Sequence, residues 1–167
     1  MKRIAVFIIA LTCLVGAADF VHAATATSTL TVSANVPQTC TISTSTVSFG
    51  AVPQLPAVTT GQGSVTVTCG IGSAWTVTLN SGQEPFGGSR AMRVGGVPVV
   101  GYELYKDAGL TQVWGDSGFA ATYPAGSGVA GVGSGAAQVT TVFGQAGAQP
   151  SAPAGNYTDI VVATVNF

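Results

Sequence analysis

Apolar and polar positions alternate along much of this chain with a period of two. Val65 and Val67 are separated by Thr66, and Trp75, Val77 and Leu79 by Thr76 and Thr78. In an extended chain such alternation sends one set of side chains into a core and leaves the other to water. Segments rich in Val, Thr, Ile and aromatic residues are divided by turns rich in Gly, Pro, Ser and Asn, and no 11-residue window carries a helical stripe. The pattern predicts an all-β fold with strands over 28–36, 39–49, 63–69, 73–80, 90–94, 97–106, 135–143 and 157–167. That spacing fits a two-layer sandwich or a barrel.

The two ends carry the clearest alternation. Ala26, Ser28, Leu30, Val32, Ala34 and Val36 share one face of an extended segment, with Thr27, Thr29, Thr31, Ser33 and Asn35 on the other. At the far end Tyr157, Asp159, Val161, Ala163, Val165 and Phe167 form one set, and Ile160 and Val162 add apolar character opposite. Two readings follow from this pattern. Both end strands belong to one closed monomeric sandwich, or they pair between molecules.

Composition narrows the function. The chain has 167 residues, 5 Lys plus Arg against 6 Asp plus Glu, and charged residues make up only 7%. A nucleic-acid binder needs a basic footprint to neutralise phosphates, and a charged disordered tail needs charge runs; neither is present. The length suits one domain with a real core.

Lys2 and Arg3 precede an apolar run from Ile4 to Val15, and Val21 and Ala23 are small residues before Ala24. This is the pattern of a secretory signal peptide over residues 1–23; the apolar run is too short for the ~20 residues of a spanning helix. Removing 23 residues from 167 leaves 144, with Arg90, Arg93 and Lys106 as the basic groups and Glu84, Glu103, Asp107, Asp116 and Asp159 as the acidic ones. His22, the single histidine, leaves with the leader, so Ser-His-Asp and Cys-His nucleophile systems and His-based metal sites are excluded. Cys13 leaves too, and Cys40 and Cys69 remain as one candidate disulfide in an oxidising compartment. The chain-entropy estimate for a loop of that length is about 3.6 kcal/mol.

Other chemistry-bearing residues have plainer readings. Trp75, Trp114, Tyr102 and Tyr105 suit core or interstrand packing. Asp107 and Asp116 lack the spacing of a calcium loop, and Glu103 with either of them has no cleft to make a glycosidase pair. The glycine-rich stretches 82–96 and 115–147 lack the lysine and helix start of a phosphate loop and read as turns and long loops; Tyr123–Gly128 reads as a loop or a weak hairpin. No catalytic residue, cofactor or metal is expected.

Several motifs in order point to a family. Cys40-Thr41-Ile42-Ser43, Val47-Ser48-Phe49-Gly50, Val67-Thr68-Cys69, Arg90-Ala91-Met92, Tyr102-Glu103-Leu104-Tyr105-Lys106-Asp107, Trp114-Gly115 and Pro153-Ala154-Gly155-Asn156-Tyr157-Thr158-Asp159 through Phe167 resemble the spore coat protein U family of archaic chaperone-usher pilus subunits. The stretch 115–147 is richer in glycine and alanine than that pattern. The resemblance implies an incomplete immunoglobulin-like β-sandwich, completed when the N-terminal extension of a neighbouring subunit inserts as the missing strand. On this reading residues 24–38 are the donor extension and 39–167 the pilin domain. Leu30, Val32, Ala34 and Val36 are the apolar plugs, with Ala26 and Ser28 as smaller contacts, and Val161, Ala163, Val165 and Phe167 line the acceptor groove.

The implied partners are neighbouring pilus subunits, a periplasmic chaperone and an outer-membrane usher, the last a transient membrane-protein contact during secretion. Nucleic acid is not among them. The implied destination, reached through the periplasm, is a cell-surface fimbrium supporting attachment or biofilm formation. The alternatives are a closed secreted carbohydrate- or protein-binding sandwich and a spore or cyst coat component.

Overall fold

The computed structural model describes residues 24–54, 57–95, 99–116 and 128–167. The expected leader, the first two residues of the strand expected at 97–106, and all but Gly128 of the Tyr123–Gly128 stretch lie outside the described residues. The chain divides into two compact units, residues 1–35 and 36–167. In the first, residues 24–35 form no strand and every one is exposed.

The second unit holds eight strands: β1 (Cys40–Thr44), β2 (Thr59–Cys69), β3 (Ala74–Leu79), β4 (Ala91–Arg93), β5 (Val99–Tyr105), β6 (Val129–Val132), β7 (Gln138–Ala146) and β8 (Ala163–Asn166). They form two antiparallel sheets, one in the order β1-β2-β7-β5-β4 and one in the order β6-β3-β8. Among the described residues no element is helical. Alternate side chains of both sheets fill the space between them: Val65, Val67, Val100, Leu104 and Val142 from the larger sheet, Trp75, Val77 and Leu79 from the smaller. The period-two reading of β2 and β3 is therefore borne out, as is the core placement of Trp75, Trp114 and Tyr102; Trp114 is fully buried and donates its Nε1–H to the Val77 carbonyl at 3.0 Å. Tyr105, by contrast, is only half-buried.

Other strand expectations need correction. The segment 28–36 alternates but forms no strand with any of the described residues of the single chain. The strand expected over 39–49 stops at Thr44, because the chain then leaves the sheet edge and crosses its inner face. Val47 and Phe49 lie over Gly61, Gly63 and Gly144, where side chains would collide with them. Glycine inside β2 and β7 thus admits a crossing chain rather than breaking the strands. β2 accordingly begins at Thr59 rather than 63. The glycine-rich stretch 115–147, read largely as loops, contains β6 paired to β3. Gly131 has no side chain to obstruct the Trp75 indole. The last expected strand, 157–167, is ladder-paired only from Ala163 to Asn166, although its exposed and shielded residues alternate from Tyr157 to Asn166.

Cys40 and Cys69 face each other in the β1–β2 register and are joined as a disulfide, with Cα atoms 4.1 Å apart. The bond fastens an edge strand at the end where the N-terminal extension leaves it.

Candidate functional site: an open groove between the sheets

The two sheets are not closed along one side. Among the described residues β1 pairs only with β2, and β8 only with β3, yet β1 and β8 lie near each other. A groove of about 940 Å³ runs between the segment that follows β1 and the segment that precedes β8, and its lining belongs entirely to the 36–167 unit. Its floor is the core itself: Val65, Leu79, Val100, Tyr102, Leu104 and Val142. One wall is the segment Thr44–Val52 and the other runs from Pro153 to Val161, with Ala163 beyond.

The first wall follows from the glycine path. Ser45 donates its backbone N–H to Ser64 O at 2.9 Å, and Ser64 N–H returns a bond to Ser45 Oγ at 2.8 Å. From there Val47 and Phe49 reach inward, and Phe49 tilts against Tyr102 with ring centroids 5.9 Å apart. Gln54 anchors the end of this wall by donating Nε2–H to Ala152 O at 2.6 Å.

The second wall crosses from one sheet to the other. Thr158 and Arg93 exchange backbone hydrogen bonds at 3.1 and 3.3 Å, attaching the wall to β4. Five residues later, at Ala163, β8 begins its pairing with β3. At the crossing Asp159 Oδ2 accepts the Tyr102 hydroxyl at 2.6 Å, while Oδ1 accepts N–H groups from Gln83, Glu84 and Ile160 at 2.8, 3.2 and 2.7 Å. Burial, and next the bond to this carboxylate, push the Tyr102 hydroxyl far above the usual tyrosine range, so it remains a donor at neutral pH.

Three further charged groups, Arg90, Glu103 and Asp107, are tied into the scaffold. Arg90, wholly buried, donates to Asn80 O from Nε at 2.9 Å and from Nη2 at 2.7 Å, and to Leu79 O at 2.8 Å. Its Nη1 pairs with Glu103, fixing the end of β3 to β5. Desolvation raises the Glu103 carboxyl above its ordinary value, opposed by the Leu104 N–H and by Arg90. Asp107 accepts Thr111 Oγ1 at 2.9 Å and Gln112 N–H at 2.7 Å, so it shapes its own turn. Among the described residues no group of three or more His, Cys, Asp or Glu could hold a metal.

The sequence-predicted residues distribute unevenly. Val161 and Ala163 line the groove. Val165 packs against the core cluster without lining it, and Phe167 is 57% exposed. Ala26, Ser28, Leu30, Val32, Ala34 and Val36 are all exposed, Leu30 and Val36 at 89% and Val32 at 85%. Sequence reasoning missed the opposite wall at Val47 and Phe49, and it missed Asp159 and Asn80. Asp159 had left a signal, a carboxylate on the inward side of an otherwise apolar alternating set.

Two sheets, free edges on one side and an apolar groove between them define an incomplete β-sandwich. The fold resembles a chain in the crystal structure of the CsuC–CsuE chaperone–tip adhesion subunit pre-assembly complex from archaic chaperone-usher Csu pili of Acinetobacter baumannii. The TM-score is 0.55 at 23% sequence identity, over 79% of this chain and 40% of that one. This chain therefore spans about two fifths of that solved chain's length. Residues 26–164 match the Spore Coat Protein U domain, and the protein belongs to that family. It is also 31% identical over 163 residues to Protein U of Myxococcus xanthus, covering 87% of each chain.

Proposed function

We propose that the protein is an exported structural subunit that polymerises by strand donation, residues 26–36 of one molecule filling the groove of the next. The observation that carries this reading is the coexistence, in one chain, of an open apolar groove and an alternating segment whose apolar side chains are all exposed. An unpaired sheet edge beside exposed apolar surface is an aggregation hazard unless another backbone covers it. An incoming strand would supply both the missing ladder and the side chains. Burying four or five of them at about 1.5 to 3 kcal/mol each gives a gross term on the order of 10 kcal/mol before association costs.

In this reading residues 1–23 direct export, 24–38 are the donor extension and 39–167 the acceptor domain. Neighbouring subunits are the lasting partners, a periplasmic chaperone holds the groove before assembly, and an outer-membrane usher exchanges chaperone for subunit. The product is a cell-surface fimbrium that supports attachment or biofilm formation. The low charge of the donor suits it, since no unpaired charge is buried at the joint. Deleting residues 24–36 while keeping the leader should abolish fibres in electron micrographs and leave monomers or chaperone-bound subunits. Fibres of normal length contradict the reading.

A second reading, a component of a protective cell coat, is favoured by the family's spore-coat description. It uses the same interlocking and differs in location. Immunogold labelling of a resting-cell surface in place of extended fibres would select it.

A further inference from the structure

We propose that Asp159 is a positioning residue of the acceptor groove: together with Asn80 it suspends the C-terminal wall from the 80–84 turn and so leaves the wall's other edge open to an incoming strand. The inference rests on the strand-donation reading and concerns how the groove is held ready before a donor arrives.

The wall has a gap in its support. Thr158 is bonded to β4 and Ala163 begins the β8 ladder, but residues 159–162 pair with no strand among the described residues, because the chain is crossing between sheets. Side chains fill that gap. The Asp159 carboxylate gathers the backbone N–H groups of Gln83 and Glu84 and the hydroxyl of Tyr102. Asn80 donates its backbone N–H to Val162 O at 3.1 Å, and its Oδ1 accepts from Val162 N–H at 2.8 Å and from Gly82 N–H at 3.0 Å.

The turn is built around the carboxylate. Gly82 has a φ of 83°, and any side chain there would strike the Asp159 oxygens. A carboxylate on the inward side of an apolar strand is costly unless its oxygens are hydrogen-bonded, and here four donors converge on it. All these attachments come from the 80–84 turn, from β5 or from the wall itself. Among the described residues none comes from the Thr44–Val52 wall across the groove, the side on which a donor backbone would pair.

The test is residue-resolved amide hydrogen exchange on the purified chain, combined with the rate at which it captures a synthetic peptide of residues 26–36. The informative amide is Val162, whose own acceptor, Asn80, is untouched by substitution at 159. Asp159→Ala should speed exchange at Val162 about tenfold or more relative to β2 and β7 amides, and slow peptide capture by about tenfold. Asp159→Asn keeps an oxygen acceptor and should retain most of the protection and most of the capture rate. Unchanged exchange at Val162 in Asp159→Ala overturns the proposal, as does equal acceleration in every strand or capture at the wild-type rate from a loosened wall. If the wild-type chain captures no peptide while Val162 still responds to Asp159→Ala, the suspension stands and the strand-donation reading falls.

Discussion

Tyr102 joins three parts of the groove through one side chain. Its ring packs on Phe49 of one wall, its body belongs to the floor, and its hydroxyl bonds Asp159 of the other wall. The raised hydroxyl of Tyr102 has a direct consequence for stability. Relative to the ordinary value of 10.0, the shift is upward, so the neutral form is favoured in the folded state. Its contribution is complete below pH 10 and is lost as pH rises beyond that toward the folded-state value. Tyr102→Phe should lower stability at pH 7 by about 1.5 to 3 kcal/mol, the range for a hydrogen bond to a charged group. The deficit should shrink above pH 10, which urea midpoints measured for both chains across that range will show. A deficit independent of pH would mean that the hydroxyl does not stabilise the fold through Asp159. The Tyr102–Asp159 pairing was not legible from sequence: Asp159 stood out as the one carboxylate in an otherwise apolar alternating set, but nothing in the chain pointed to Tyr102 as its partner.

At the scale of elements, the alternating strands were readable and the glycines were not. Val65 and Val67, or Trp75, Val77 and Leu79, declare their buried face because a one-residue slip would expose the whole set. Gly61, Gly63 and Gly144 carry no such declaration, since the reason for a missing side chain lies in another segment. Here that segment is Val47–Phe49, brought across the sheet once β1 ends at Thr44. The same blindness covers β6, which pairs with β3 and has a glycine at 131 where a side chain would strike the Trp75 ring. A methyl group at 144 would sit 2.9 Å from the Phe49 ring and from Val47. Gly144→Ala should therefore cost about 1 to 3 kcal/mol by overpacking, read as a lower urea midpoint with unchanged slope. A neutral result would show that the wall yields freely and does not define the groove.

At the scale of the whole molecule, the low charge, the exposed alternating segment 26–36 and the open groove fit together. The sequence carried the two end segments as alternating strands without partners; it could not say whether they meet within one chain, because pairing depends on which edge stays open. The sandwich answers half of that question. Its free edges at β1 and β8 lie on one side, with Val161 and Ala163 along the groove, while Leu30, Val32 and Val36 remain exposed. The groove's Val47–Phe49 wall is a product of tertiary packing and was out of reach of pattern reading, whereas floor residues such as Val65 and Leu79 were legible from their alternation. The most direct test places a photo-cross-linking residue at Val32 in assembled material made from a mixture of isotopically light and heavy chains. The account predicts mixed light–heavy cross-links from position 32 to residues 44–52 or 157–163 of a different molecule. Cross-links confined to a single chain would contradict it.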